Sequence, residues 1–368
     1  MKLPEPQKSI YSKERKSALE AQRLAQEIAF GPIVFQVSRL MVKFGIFQML
    51  DENKKGLTFE EIKEKSKLSS YAVKVLLESS LTIGTILHKD EKFFISKSGW
   101  FLINDEMVKV NMDFNHDVNY LGTFNLEEAL ITGKPEGLKV FGNWSTIYEG
   151  LSQLPEQVQK SWFGFDHFYS DNSFEQALKI VFSNNPKTIL DVGGNTGRWA
   201  VKCVQFSETI NVTIMDLPQQ LELMRVATKN IAGADRIHGY GTNLLDEANS
   251  FPIDFDAIWM SQFLDCFSEE QVTSILTRAA KSMSKKSRLF IMETFWDNQK
   301  FETASYCLAQ ISLYFTALAN GNSKMYHSAD MEKCVNNAGL KVEILHEGIG
   351  LGHSIMQCVL NDVSLQRS

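Results

Sequence analysis

The stretch "TILDVGGNTGRWA", residues 188–200, decides how the rest of the chain is read. Its first residues are β-branched and apolar and end on an acid, Asp191. A knot of small residues follows, and then a helix-like run from Arg198. Glycine at a strand–helix junction lets the backbone turn tightly and lets a ligand approach the main chain closely. A dinucleotide fingerprint needs G-x-G-x-x-G. Here Gly193 is followed by Gly194 and then by Asn195, so that spacing fails. What stands is D-x-G-G-x-x-G, from Asp191 to Gly197, with Asn195 able to take the left-handed backbone that glycine otherwise supplies.

The turn's chemistry narrows its ligand. No Lys or Arg lies inside it to meet a phosphate, and the Asp191 carboxylate repels pyrophosphate while suiting a cation or an amino group. The next β-rich run ends in "TIMDLP", which puts Asp216 at a second strand tip, placed to accept hydrogen bonds from ribose hydroxyls. Together the two acids imply a nucleoside without a pyrophosphate. S-adenosylmethionine satisfies both conditions, having an adenosine, an ammonium and a positive sulfur. The plainer alternative is that the two acids only cap helices.

Outward from this turn the chain shows short β-rich runs at 188–192, 212–216, 236–240, 255–260, 288–293, 341–346 and 355–360, separated by helix-length segments. That alternation predicts βαβ units and a doubly wound, mostly parallel sheet with helices on both faces. Before residue 175 helical patterns dominate. "LTFEEIKEKSKL" opens with a capping box, Thr58 to Glu61, flanked by Leu57 and Ile62 as a hydrophobic staple. A second helix ends near Gly84, and "ILHKDEKFFIS" reads as a hairpin turning at 89–91. Helix, helix, hairpin is the winged-helix order. Residues 54–96 carry eight lysines against six acids, and no arginine lies between Arg39 and Arg198. Base reading relies on Arg forks, so this unit is expected to serve protein contacts. The preceding "IVFQVSRLMVKFGIFQML" is a helix apolar on more than one side, expected to be buried in its own domain or against a partner subunit.

The remaining bounds come from composition. The 368 residues are 44% hydrophobic and 22% charged, as in an ordinary globular protein long enough for two domains. A net charge of -6 argues against nucleic acid as the main partner. The five cysteines are odd in number and form no C-x-x-C pair, which speaks against a disulfide framework and a structural zinc, so no metal is expected. No window supplies the roughly 18 apolar residues of a membrane span, and the start has no signal-peptide character. The expectation is a cytoplasmic protein with no membrane partner.

With these motifs in place, the chain resembles the class I S-adenosylmethionine-dependent methyltransferases. More narrowly it resembles the small-molecule O-methyltransferase family typified by plant caffeate and bacterial polyketide O-methyltransferases. "MVKFGIFQML" and the winged helix look like that family's dimerisation domain, and "ITGKPEGLKVFG" like its linker. "DVGGNTG" matches its glycine motif and "MDLP" its ribose motif. "FDAIWMSQFLDCFSEEQ" and "LFIMETF" match the segments lining its active site. The resemblance implies a homodimer and three parts: a helical winged-helix dimerisation domain (1–110), a helical linker contributing to the substrate pocket (111–174) and a Rossmann-like methyltransferase domain (175–368). It implies that Gly193 backs the methionine portion, with Asp191 and Gly194 also binding the cofactor, that Asp216 binds ribose with Leu217 beside it, and that Leu244 lies on the adenine face. Asn243 falls where the family has an acid facing the adenine, an exchange an amide oxygen tolerates. Ser261 falls where plant members carry a lysine.

The resemblance also exposes a departure. The family's general base is a histidine after the fourth strand of the sheet; here Asp265 stands in its place, Cys266 in that of the following acid and Phe267 in that of the tryptophan. Of the two supporting glutamates, Glu293 matches the first and Met325 falls at the second. Three readings stay open. Asp265 is the base, with its pKa raised by burial and by Glu293. Or His167 in "FDHFYS", or His327, has taken over. Or no strong base is needed, because the acceptor is acidic or the methyl goes to an activated ring carbon, as in a bacteriochlorophyll-forming relative that also lacks the histidine. The expected activity is methyl transfer to a small aromatic or polyketide-like acceptor, with hydroxyl oxygen first. Carbon methylation, or a cofactor-binding winged-helix regulator without catalysis, are the alternatives. In "ETASYCLAQISLYFTALANG", Tyr306, Ile311, Tyr314 and Phe315 are expected on roughly one side of a helix that closes the substrate pocket.

Overall fold

The computed structural model describes residue 8 and residues 10–361, in two compact units that meet in sequence at Asp117 and Val118. The first unit contains helices α1 (Ala18–Ala29), α2 (Gly31–Lys43), α3 (Ile46–Glu52), α4 (Phe59–Ser66) and α5 (Ser70–Ile83), the hairpin β1 (Ile86–Lys89) and β2 (Lys92–Ile95), and helices α6 (Lys97–Asn104) and α7 (Glu106–Phe114). The Thr58–Glu61 capping box forms as predicted, and Leu57 and Ile62 are buried in one cluster with Met41, Phe47 and Ile86. Helix α5 stops on Gly84, whose left-handed backbone costs a glycine little. Asp90 and Glu91 both take positive φ, the requirement of the tight turn that matches strand twist. The apolar run before this motif differs from expectation. It is two helices, because Gly45 adopts φ 70 and breaks it into α2 and α3, and Ile33 is exposed while Met41, Ile46 and Phe47 are buried.

The second unit opens with α8 (Leu126–Thr132), α9 (Ile147–Gly150), α10 (Glu156–Asp171) and α11 (Phe174–Val181). The sheet region then alternates: β3 (Thr188–Val192), α12 (Arg198–Phe206), β4 (Asn211–Asp216), α13 (Pro218–Thr228), β5 (Ile237–Gly241), β6 (Ala257–Ser261), α14 (Glu269–Ser282), β7 (Arg288–Glu293), α15 (Glu302–Tyr314), α16 (Ser328–Asn337), β8 (Leu340–Ile349) and β9 (His353–Leu360). The seven predicted strands all form, in the order β5-β4-β3-β6-β7-β9-β8. The pairs from β5 to β7 are parallel, and β9 runs antiparallel to both β7 and β8. Strands covered on both faces read as nearly continuous apolar runs. In β3, Ile189 faces one core with Trp199, Val212 and Trp259, while Leu190 and Val192 face the other with Met260, Ile291 and Met356.

The chain winds outward from β3 in both directions, to β4 on one side and β6 on the other. Such a switch point opens a crevice at the carboxyl ends of the strands, where open α/β sheets hold their ligands. The glycine turn starts there. No single helix among the described residues is long and apolar enough to cross a membrane.

Candidate functional site

The turn after β3 is folded around its own acids. Gly193 takes φ 73 and Asn195 φ 49, so the predicted left-handed residue is present. The Gly193 amide donates to Met215 O across the strand gap at 2.9 Å. Gly197, also left-handed, caps the N-terminus of α12. Neither Gly193 nor Gly194 has room for a side chain: a Cβ at 193 meets the Phe263 ring at 2.3 Å, and one at 194 meets Asp191 Oδ2 at 2.5 Å. Asp191 is 2% exposed and its Oδ2 has no hydrogen-bond partner among the described residues. Burial, and then the charge of Asp216, push its carboxyl up to about 8.

Asp216 ends β4. Its Oδ2 accepts from the Asn195 amide at 2.9 Å and its Oδ1 from the Leu217 amide at 2.7 Å. The acid therefore ties the glycine turn to the start of α13, and each oxygen keeps a lone pair for a further donor. Burial raises its carboxyl, against these two amides, which lower it. Leu217 caps α13, with Pro218 at the first helical position.

Past β5, the segment from Asn243 to Asn249 folds on itself. Asn243 Oδ1 accepts from the Leu245 amide, and Asn243 O accepts from Asn249 Nδ2. The amide oxygen assigned to the adenine in the sequence reading thus already holds its own loop. Leu244 is buried and Asn243 exposed. Ser261, the last residue of β6, is half-buried. After it Gln262 takes φ 46, an uncommon backbone for a non-glycine residue. Its Oε1 lies 3.2 Å from Nε2 of the fully buried His353. Burial lowers His353 to about 4, so the ring is neutral at pH 7 and Nε2 can donate.

The next turn carries Asp265, which is buried. Glu293, at the end of β7, accepts the amides of Phe263 at 3.1 Å and Leu264 at 2.9 Å through Oε1, while Oε2 is buried with no hydrogen-bond partner among the described residues. Glu293 therefore holds the turn's main chain. On the far side of the turn Asn320 Nδ2 donates to Cys266 O at 2.6 Å, and the Tyr326 hydroxyl donates to Phe267 O. The Cys266 thiol donates to Asp265 Oδ1 at 3.4 Å. Burial pushes Asp265 to about 7, with the thiol opposing and the Asp166 charge adding to the rise. Burial, and then the Asp265 charge, raise Glu293 well above an ordinary carboxyl. Asp166 on α10 is itself pushed by burial to about 6. Tyr148 on α9 is raised well above an ordinary phenol, by burial and then by Cys266. Trp162 on α10 donates to the Tyr314 hydroxyl of α15 at 2.7 Å.

Asp265 and Glu293 are legible in the sequence; Asp166, Tyr148 and Asn320, which reach this turn from distant segments, are not. Asp166 adjoins the named His167, the one local signal available. His167 lies on α10 beside Phe163, and burial lowers its pKa, so it is neutral at pH 7. Its neighbour Asp171 pairs with Arg198, the first residue of α12. His327 is a helix cap: its Nδ1 accepts the Ala329 amide at 3.1 Å at the start of α16. Met325 is buried and accepts from Thr294 through sulfur. One expectation fails at α15, where Ser305, Leu308, Ile311 and Tyr314 form the buried face and Tyr306 is 63% exposed. Five residues separate Tyr306 from Ile311, well over a full turn, which rotates it off that face.

The site fits S-adenosylmethionine on its own observations. Two buried acceptors of the turn, Asp191 Oδ2 and Asn195 Oδ1, lack hydrogen-bond partners among the described residues. The donor set offers carboxylates and no cation, which suits an ammonium and ribose hydroxyls and not a phosphate.

Comparison with known proteins agrees. Residues 22–93 match the Dimerisation2-like domain, and residues 125–341 match the O-methyltransferase domain. An L-tyrosine C(3)-methyltransferase of Streptomyces lavendulae is 23% identical over 332 residues, 89% of each chain. Among solved structures, the apo form of the S-adenosylmethionine-dependent methyltransferase SibL superposes with a TM-score of 0.69 at 21% identity, covering 91% of this chain and 98% of that one. The O-methyltransferase NcsB1 from neocarzinostatin biosynthesis, in complex with S-adenosylmethionine and 2-hydroxy-5-methyl naphthoic acid, superposes with a TM-score of 0.65 at 15% identity, over 89% and 95%. Motif, sheet topology and family match converge: the chain belongs to the O-methyltransferase domain family and is an S-adenosylmethionine-dependent methyltransferase.

Proposed function

We propose that the protein methylates a hydroxyl oxygen of a small aromatic or polyketide-like acceptor, with Asp265 as the general base. The observation that carries this reading is a buried carboxyl, poised near neutrality, on a turn held from both sides by Glu293 and Asn320. The aromatic acceptor of the NcsB1 complex and the aromatic side chains Trp162, Tyr314 and Phe263 support a flat substrate.

In this reading Asp191 and Asn195 hold the methionine end of the cofactor against Gly193 and Gly194, Asp216 and Leu217 hold the ribose, and Asn243, Leu244 and Ser261 line the adenine side. When bound, S-adenosylmethionine supplies a methyl group made electrophilic by its positive sulfur. The chain's task is to position the acceptor and take its proton. Asp265 accepts the phenolic proton as the oxygen attacks, and a carboxylate with a pKa near the working pH is a far better base than one near 4. Glu293, its carboxyl raised by burial, holds the turn through the amides of Phe263 and Leu264. The alternative base is His167 on α10, whose pKa burial lowers. Incubation with S-adenosylmethionine and a panel of phenols, read by mass spectrometry for a gain of one methyl, tests the activity.

A second reading, methylation of a ring carbon, is favoured by the C(3)-methylating relative that covers 89% of this chain. Fragmentation or carbon NMR of the product separates O-methyl from C-methyl.

The Dimerisation2-like match and the exposed apolar residues of the first unit, Leu19, Ile28, Phe30 and Ile33, support a homodimer. Light scattering at twice the chain mass is the expected result.

A further inference from the structure

Arg278 lies on α14, outside every motif singled out in the sequence, and its guanidinium is spent on one loop. Nη2 donates to Leu244 O at 2.6 Å, and Nη1 donates to Asn249 O at 2.9 Å and to Asp246 O at 3.2 Å. Nε reaches back to Ser274 O of its own helix at 3.4 Å. These partners are main-chain carbonyls, and three of the four belong to the loop from Asn243 to Asn249. The loop's other ties are internal: Asn243 Oδ1 to the Leu245 amide, Asn249 Nδ2 to Asn243 O, and Asp246 Oδ1 to the Ala248 amide. Internal ties give the loop its curl but do not fix it to the sheet. That fixing falls to the buried Leu244 side chain and to Arg278, whose half-buried guanidinium has its pKa lowered by burial.

We infer that Arg278 is a positioning residue for cofactor binding, clamping the 243–249 loop so that Asn243 and Leu244 present a preformed adenine side. The inference rests on the reading of those two residues as the adenine side. A planar fork of five donors is suited to this task, because it spans several carbonyls at fixed angles and loses little freedom doing so. A preformed loop spares the cofactor the cost of ordering it. Arg278 touches nothing that reacts, so its loss weakens ground state and transition state alike.

Calorimetry with S-adenosylhomocysteine and hydrogen exchange of the ligand-free full-length protein test this on Arg278→Gln, Arg278→Lys and Asn243→Asp. In Arg278→Gln the Kd rises about tenfold or more, from the loss of several charge-assisted bonds. The amides of 245–249 exchange faster, and the KM for S-adenosylmethionine rises in step with Kd while the KM for the acceptor stays put. Arg278→Lys keeps the charge and recovers part of the affinity, and it carries the test if the Gln variant does not fold. A Kd within twofold of the parent in both Arg278 variants, with the loop amides loosened, overturns the clamp. If Asn243→Asp then shifts the Kd, the loop still faces the adenine and only the clamp is wrong. If Asn243→Asp leaves the Kd unmoved as well, the assignment of the loop falls with it.

Discussion

Gly194 leaves vacant the space into which the Asp191 carboxyl reaches: a Cβ there stands 2.5 Å from Asp191 Oδ2 and 2.9 Å from Ile214 Cγ2. The second glycine of the turn is thus a steric condition on the buried acid beside it. Gly194→Ala must displace the carboxyl or the main chain, an overpacking that costs about 1–3 kcal/mol. The expected outcome is a Kd for S-adenosylhomocysteine raised about tenfold or more, with the fold retained in circular dichroism. Unchanged binding would show that the acid can move without consequence.

Asp265→Asn removes the proposed base while keeping its shape. For oxygen methylation kcat should fall about 10²–10⁴-fold, the usual contribution of a positioned base. In the parent, kcat should rise with pH to a plateau through about 7, as Asp265 loses its proton. The variant should lose that limb. Retained activity with the same profile excludes Asp265 as the base and directs attention to His167.

Stability should respond to the same buried carboxyls. Burial lifts Asp191 to about 8 and Asp265 to about 7, and raises Glu293 too. In the unfolded chain such groups titrate near 4. Between those values the folded state binds more protons, so stability is full below about pH 4 as far as these groups go, and it falls as pH rises through 7 to 8. Thermal melting of the cofactor-free protein should therefore show Tm declining from pH 5 to pH 8, with a shallower decline in Asp191→Asn. A Tm that climbs over that range contradicts the assignment.

Asn320 is the tie between the segment after α15 and the base turn. Its Nδ2 bonds Cys266 O at 2.6 Å and Ser323 Oγ at 2.8 Å, while its Oδ1 accepts the Asn322 and Ser323 amides. Asn320→Asp keeps the acceptor and replaces the donor with an oxygen facing a carbonyl. Because misplacement of a reacting group by about 1 Å is costly, kcat should fall about tenfold or more with little change in cofactor Kd. Isothermal titration beside steady-state kinetics separates the two, and a loss confined to Kd would place Asn320 in cofactor binding instead.

Much of the frame was written locally. The strands from Thr188 to Leu360 declare themselves by apolar runs bounded by turns, because a strand covered on both faces needs apolar side chains at nearly every position. The Thr58–Glu61 capping box is an i, i+3 relation and forms as read. The turn from Asp191 to Gly197 was legible because its demands are steric: no Cβ at 193 or 194, a left-handed residue at 195 and an acid at the strand end.

What the sequence could not declare is the set of contacts made across long separations. Asp166, Tyr148 and Asn320 reach the base turn from three separate segments, and Arg278 finds its partners on a loop some thirty residues earlier in the chain. Glu293 lay within the motif, yet only folding decided that it binds the amides of Phe263 and Leu264. The break at Gly45 and the outward turn of Tyr306 are of another kind, local consequences of a left-handed glycine and of helical phase. Side-chain identity and spacing determine which strands, caps and turns form, since those interactions span a few residues. Which buried carboxyls end up together, and so what proton affinity Asp265 acquires, is decided by packing, because desolvation and charge proximity exist only once distant segments meet.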